Sequence, residues 1–169
     1  MTGTKRIFIG LSLSFTFKEK INEWKQLHLE LPIHWRITQN LHLTLVRPWY
    51  ERDLFRITKR FEQLSARKFN LEFTQVGSNT TRSGSGLVWI EANPTTELLE
   101  LRKQLHAVVG QATPFVFKPH ITLGKWQGKE YLVSEQFSYS ESMIQVILYE
   151  SFVHTKKTTY EPLVTIKLQ

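Results

Sequence analysis

Two short stretches of this chain carry one pattern. The first is Leu41-His42-Leu43-Thr44-Leu45, and the second is His120-Ile121-Thr122-Leu123, preceded by Phe117-Lys118-Pro119. On a strand, successive side chains point to opposite faces, so a His and a Thr two residues apart share a face. Leu41, Leu43 and Leu45 then point the other way and bury, as do Ile121 and Leu123. Each strand anchors itself in a core while holding an imidazole and a hydroxyl on rigid backbone, as a catalytic site requires. A His-x-Thr with an aliphatic residue between and Leu after is expected on the order of 0.01 times per chain by chance. Here it occurs twice, once in each half.

Paired imidazoles and hydroxyls suit in-line cleavage of a phosphodiester. That reaction needs a base for the entering oxygen and an acid for the departing one, on opposite sides of phosphorus. Imidazole titrates near neutrality and serves in either role. Thr44 and Thr122 can donate hydrogen bonds to the equatorial oxygens as these gain charge. The residues themselves leave open which His is acid and which is base.

Composition points the same way. The 169 residues include 15 acidic ones, of which Asp53 is the sole aspartate. Metal-dependent phosphoryl transfer relies on converging carboxylates, so the expected chemistry uses no metal and no cofactor. Cysteine is absent, which excludes thiolate zinc sites, Cys nucleophiles and disulfides. The six His show no His-Glu-x-x-His spacing. A formal charge of +7 favours an anionic partner, with nucleic acid first.

The length predicts one domain over residues 1–169, read as a monomer in the cytoplasm without a membrane span. Strands are predicted over Arg6–Leu13, His34–Ile37, Leu41–Val46, Phe69–Val76, Leu87–Ala92, His120–Leu123, Met143–Val153 and Thr159–Leu168. Phe17, Ile21, Trp24, His28 and Leu31 mark one helix, stopped by Pro32. Asp53 caps a second helix with Leu54, Ile57, Phe61 and Leu64 inward. Leu98, Leu101, Leu105 and Val108 mark a third, ending at Gly110. Each half runs strand, helix, then motif strand. The pattern predicts an α+β fold of two similar lobes, with antiparallel or mixed sheets lining a central cleft and helices on the outer faces.

The paired "HLTL" and "HITL" resemble the two His-x-Thr-x motifs of the two-histidine phosphoesterase superfamily. More narrowly, they resemble the RNA 2′,3′-cyclic phosphodiesterases of the 2′-5′ RNA ligase family. "RIFIGLSL", "NLHLTL", "GLVWIEA" before "ELLELRKQL", "KPHITLGK" and "LYESFVHTKKTTYEPL" follow in that family's order, with Ser151 and Tyr160 in place. The resemblance implies hydrolysis of RNA 2′,3′-cyclic phosphate ends to 2′-phosphomonoesters, and reversible 2′-5′ ligation. It implies His42 as proton donor, His120 as proton acceptor, and Thr44 and Thr122 as phosphate ligands. The expected partner is RNA or an oligonucleotide with a 2′,3′-cyclic phosphate end. Two departures stand out. Val46-Arg47-Pro48-Trp49 replaces a Phe-Leu-Gly stretch, and Gly124-Lys125 replaces an Ala-Arg-like pair, keeping the charge but losing the bidentate fork.

Arg47 and Lys125 each lie three residues beyond a motif Thr, close to Trp49 and Trp126. A cation beside an aromatic suits phosphate and a stacked base, so these four and Tyr160 are the substrate-binding candidates. Arg52, Arg56, Lys59 and Arg60 form a basic helix stripe, and Arg82 sits in a Gly/Ser loop. His28 and His106 read as structural.

Overall fold

The computed structural model describes residues 3–80, 84–112, 116–127, 133–155 and 158–169. Arg82 falls outside them. In chain order the described elements are β1 (Lys5–Ser12), α1 (Phe15–Gln26), β2 (His34–Trp35), a 3-10 turn (Thr38–Asn40) and β3 (His42–Glu51). Then follow α2 (Leu54–Glu62), β4 (Phe69–Thr80), β5 (Ser85–Ala92), α3 (Thr96–Val109), β6 (His120–Gln127), β7 (Glu135–Met143), β8 (Gln145–Val153) and β9 (Thr158–Lys167).

Each helix starts on a side-chain cap. Ser14 Oγ accepts from the Phe17 amide at 3.1 Å, Asp53 from Arg56 at 2.9 Å and Thr95 from Leu98 at 3.2 Å. Helix α3 ends on Gly110 at φ 71°, a left-handed cap that glycine adopts without steric cost. Helix α1 stops at Gln26, short of Leu31, the end that the apolar spacing suggests. The Leu27 amide turns back to both Glu23 and Trp24, and the chain leaves through tight turns. Periodicity reports a shared face and is blind to this change in hydrogen bonding.

One sheet runs in the order β7-β4-β5-β6-β3-β1-β8-β9, with the short β2 beside β6. All pairings are antiparallel. The two halves meet at β3 and β6, which share a single bridge, Leu43 to Ile121. These are the middle residues of the two motifs. The two-lobed α+β architecture is therefore one sheet with a thin central seam, and both motifs lie on that seam.

Leu43 and Ile121 join a continuous core with Ile7, Ile9 and Leu11 of β1, Val88 and Ile90 of β5, and the inward faces of all three helices. Phe17 of α1 stacks on Tyr139 at 4.3 Å and packs on Phe73 at 4.7 Å, covering the β4–β7 end. Strand β7 is an element that the sequence does not separate from β8. Its inward residues Phe137, Glu141 and Met143 bury, but polar residues at this edge dilute the alternation. The buried Glu141 is satisfied by the Ser14 amide at 2.6 Å and its hydroxyl at 3.0 Å, which ties the α1 cap to β7.

Candidate active site

Opposite the helix-covered face, the seam opens into a cleft of about 180 Å³. His42, Thr44 and Thr122 line it together with Arg6, Arg36 and Tyr160. Single residues of β1 shape its floor. Gly10 pairs with Thr44, and a Cβ there would meet the Leu43 carbonyl at 2.9 Å and His42 Cδ2 at 3.2 Å. The missing side chain lets the imidazole lie across β1. Phe8 then packs on that ring at 4.8 Å, and Tyr160 meets it edge-on at 5.1 Å.

Both imidazoles are anchored alike. His42 Nδ1 lies 2.7 Å from the Asn40 carbonyl, and His120 Nδ1 lies 2.7 Å from the Lys118 carbonyl, each two residues upstream. A carbonyl only accepts, so each Nδ1 carries a proton and each Nε2 is left for chemistry. His42 Nε2 sits 3.1 Å from Thr44 Oγ1, and in the neutral ring it accepts from that hydroxyl. Asn40 is itself pinned to β9, donating to the Thr158 carbonyl at 2.6 Å.

The cations around His42 come from distant segments. Arg36 donates to Tyr160 Oη at 3.0 Å, and Arg6 donates to the buried Ser151 Oγ at 2.5 Å. Each guanidinium is thereby held at the cleft wall. His42 is pushed down to about 4, first by burial and then by the charges of Arg36, Lys18 and His120, against the pull of the Asn40 carbonyl. Burial also lowers Lys18. The closed side of the cleft is thus a cationic hollow that favours an anion and leaves His42 neutral at pH 7.

The second motif faces a different environment. His120 and Thr122 pair with Glu91 and Trp89 of β5, so all four side chains share the cleft face. The Trp89 and His120 rings lie 6.2 Å apart. A bulge in β6 opposite Val88 then shifts the alternation by one residue. Lys125 therefore comes onto the cleft face opposite Leu87, at the exposed end beside His34 of β2.

The same bulge corrects the expectation for Trp126. Its side chain turns into the core and is fully buried, so it offers no surface to a base. Trp49 pairs with the core residue Ile7 and donates to Glu51 at 3.3 Å, packing on the helix side of the sheet. Arg47 is exposed beside a β3 bulge, outside the cleft lining, and its charge is felt by Arg102 of α3. The α2 stripe also lies away from the cleft. Arg56 faces Glu51 and Asp53, Lys59 faces Glu62, and Arg60 donates to the Ala107 carbonyl on α3. His28 bridges Trp24 and Glu135.

Sequence reading missed Arg6, Lys18 and Arg36 as site residues. Arg6 had a usable signal, since it shares a face with Phe8 and Gly10 on β1. Lys18 and Arg36 had none, because Lys18 lies off the apolar stripe of α1 and Arg36 follows a two-residue strand, where no periodicity aims a side chain. Among the described residues, no three His, Asp or Glu side chains converge to hold a metal, and no helix is long and apolar enough to cross a membrane.

The fold has counterparts among solved structures. Escherichia coli LigT complexed with 3′-AMP is 24% identical, with 98% of this chain and 99% of that one covered at a TM-score of 0.80. A structure described as a phosphoesterase is 22% identical over 98% and 99% of the two chains, at 0.81. The Thermus thermophilus protein TT0787 is 20% identical over 96% and 97%, at 0.77. These likenesses establish the fold. No curated protein sequence matches the chain. The model of the 2′-5′ RNA ligase superfamily matches residues 16–141, well over half of the sequence. The chain belongs to the 2′-5′ RNA ligase superfamily.

Proposed function

We propose that this protein hydrolyses RNA 2′,3′-cyclic phosphate ends to 2′-phosphomonoesters by general acid–base catalysis, without a metal. The observation that carries the reading is the seam itself. Two His-x-Thr strands meet at Leu43 and Ile121, each imidazole fixed through Nδ1 with Nε2 left to act, beside Arg6 and Arg36. LigT structures with 3′-AMP, phosphate, ATP and NADP+ are consistent with a nucleotide ligand here.

In this mechanism the cyclic phosphate enters the cationic hollow, its equatorial oxygens facing Thr44, Thr122 and Arg36. His120 Nε2 takes a proton from water as the water oxygen attacks phosphorus. The P–O3′ bond breaks on the opposite side, and His42 Nε2 protonates the departing O3′. His42 is poorly protonated at neutral pH beside Arg36 and Lys18, so it gains its proton when the substrate anion offsets their charges. A 5′-hydroxyl in place of water gives the ligation direction. Tyr160 and Lys125 hold substrate, at the closed and open ends of the cleft respectively.

The test is hydrolysis of a 2′,3′-cyclic nucleotide with EDTA present, wild type beside His42→Ala and His120→Ala. The expected result is full wild-type turnover to the 2′-phosphate and loss in both variants. Loss with EDTA, or survival in both variants, overturns the mechanism. RNA binding without turnover would make the cleft a binding module instead.

A further inference from the structure

One short segment, Arg36 to Asn40, serves both motifs although it belongs to neither. The Arg36 amide donates to the carbonyl of Leu123, the last residue of the second motif, at 2.7 Å. At the other end the Asn40 carbonyl holds His42 Nδ1, and the Asn40 side chain is pinned to β9. From the same segment the Arg36 guanidinium reaches Tyr160 at the cleft wall. Whatever fixes this backbone therefore bears on one imidazole and one cation of the cleft.

Helix α1 supplies that support. Lys25 lies on its inward side with Phe17 and Ile21, and only 8% of the residue is exposed. Lys25 Nζ donates to the Arg36 carbonyl at 2.9 Å and to Asn22 Oδ1 at 3.3 Å. The same Asn22 oxygen accepts from Thr38 Oγ1 at 2.9 Å, so α1 is tied to the segment at both Arg36 and Thr38. Among the described residues no carboxylate pairs with Lys25. Burial pulls its ammonium below the ordinary lysine range. A buried cation that faces only neutral oxygens is unfavourable beside an apolar side chain of similar length, which would fill the site without desolvating a charge. What the ammonium adds is a donor aimed at one carbonyl. With Leu123 on the amide and Lys25 on the carbonyl, the Arg36 backbone is held from both sides, and its guanidinium leaves a fixed base.

We propose that Lys25 is a positioning residue of the cleft, which fixes the Arg36 backbone and so aims the guanidinium into the anion-holding side, with Thr38 as the second tie to α1. The inference rests on the reading of the cleft given above and deepens it, since it names the support behind a phosphate-binding cation. Lys25 acts through Arg36 and touches no substrate.

The experiment follows His42 by NMR titration without ligand, so it does not depend on turnover. His42 is held low first by burial and then by the charges of Arg36, Lys18 and His120. An Arg36 that loses its aim leaves His42 easier to protonate. Lys25→Met keeps the apolar stem and removes the donor. It is expected to raise the His42 midpoint by about half a pH unit when Arg36 is present and to leave it unchanged in an Arg36→Ala background. Thr38→Val changes no charge and is expected to raise the midpoint less, again only when Arg36 is present. A direct effect of the Lys25 charge, or a general loosening that exposes His42, would raise the midpoint equally in both backgrounds and overturn the proposal. So would an unchanged midpoint in Lys25→Met or, should that variant not fold, in Thr38→Val. Failure of wild type to hydrolyse cyclic nucleotides would overturn the earlier reading while leaving these titrations measurable.

Discussion

The first and second motif strands share their residue pattern, their register at the seam and their Nδ1 anchors, yet they sit in different surroundings. His42 lies under Phe8 and Tyr160 with Arg36 and Lys18 close by, and its acidity is driven to about 4. His120 stands on the open side, next to Trp89 and Glu91. One local motif therefore gives two different imidazoles, and burial makes the difference. The closed side is fitted to hold phosphate, and the open side to admit what enters.

The strongest challenge to this division is removal of either imidazole. His42→Ala and His120→Ala are each expected to lower cyclic nucleotide hydrolysis by about three orders of magnitude. Steady-state rates on a 2′,3′-cyclic nucleotide provide the check. If one variant keeps wild-type turnover, the two sides do not act as a pair.

A second contrast sets the cations against each other. Arg36 is held against Tyr160 inside the closed side, whereas Lys125 is exposed. Arg36→Ala should cost on the order of 100-fold in kcat/KM, comparable to loss of one oxyanion donor. Lys125→Ala should cost roughly tenfold or less, because solvent screens its charge. Equal losses would erase the distinction between closed and open. Arg36→Ala should also raise the His42 titration midpoint, read by NMR in the absence of ligand.

Gly10→Ala tests the closed side sterically. The added methyl falls 3.2 Å from His42 Cδ2 and 2.9 Å from the Leu43 carbonyl. We expect about a tenfold drop in kcat, of the size that small misplacements of a catalytic group produce, with the fold retained by circular dichroism. An unchanged kcat would mean that the His42 ring does not need its place over β1.

The smallest effect is on stability. The folded-state value for His42, about 4, lies below its ordinary 6.5, so the unfolded chain binds the proton more readily. Stability from this group is complete above pH 6.5 and is lost as pH falls towards 4, with a ceiling on the order of 3 kcal/mol. His42→Asn should therefore flatten the dependence of the urea midpoint on pH between 6.5 and 4. Identical pH profiles for variant and wild type would show that His42 is not the group responsible.

Much of the site was legible because it depends on local alternation. His42 with Thr44, and His120 with Thr122, share faces on any strand, and their aliphatic neighbours must bury on the other. The four candidates that follow the motifs were less legible, because a cation close to an aromatic in sequence does not say which face of the strand either one takes. In β6 a single extra residue opposite Val88 sends Trp126 into the core and Lys125 to the cleft. In β3 the two irregularities against Ile7, Ile9 and Gly10 offset each other, so Trp49 stays on the helix side with Leu43 and Leu45. Trp89 went unweighed for another reason. Its environment is made by β4 and β6, which lie on either side of β5 in the sheet but apart from it in the motif pattern.

The amino-acid sequence by itself determined the chemical groups, their pairing and the strand faces that present them, because a period of two is a property of the backbone. The tertiary structure alone decided which cations meet the phosphate, which aromatic borders each imidazole and how acidic His42 becomes. Those outcomes depend on the strand order that brings Arg6, Arg36 and Tyr160 to one cleft and the charge of Lys18 within reach of His42. No local spacing encodes them, since convergence and desolvation exist only once the sheet has formed.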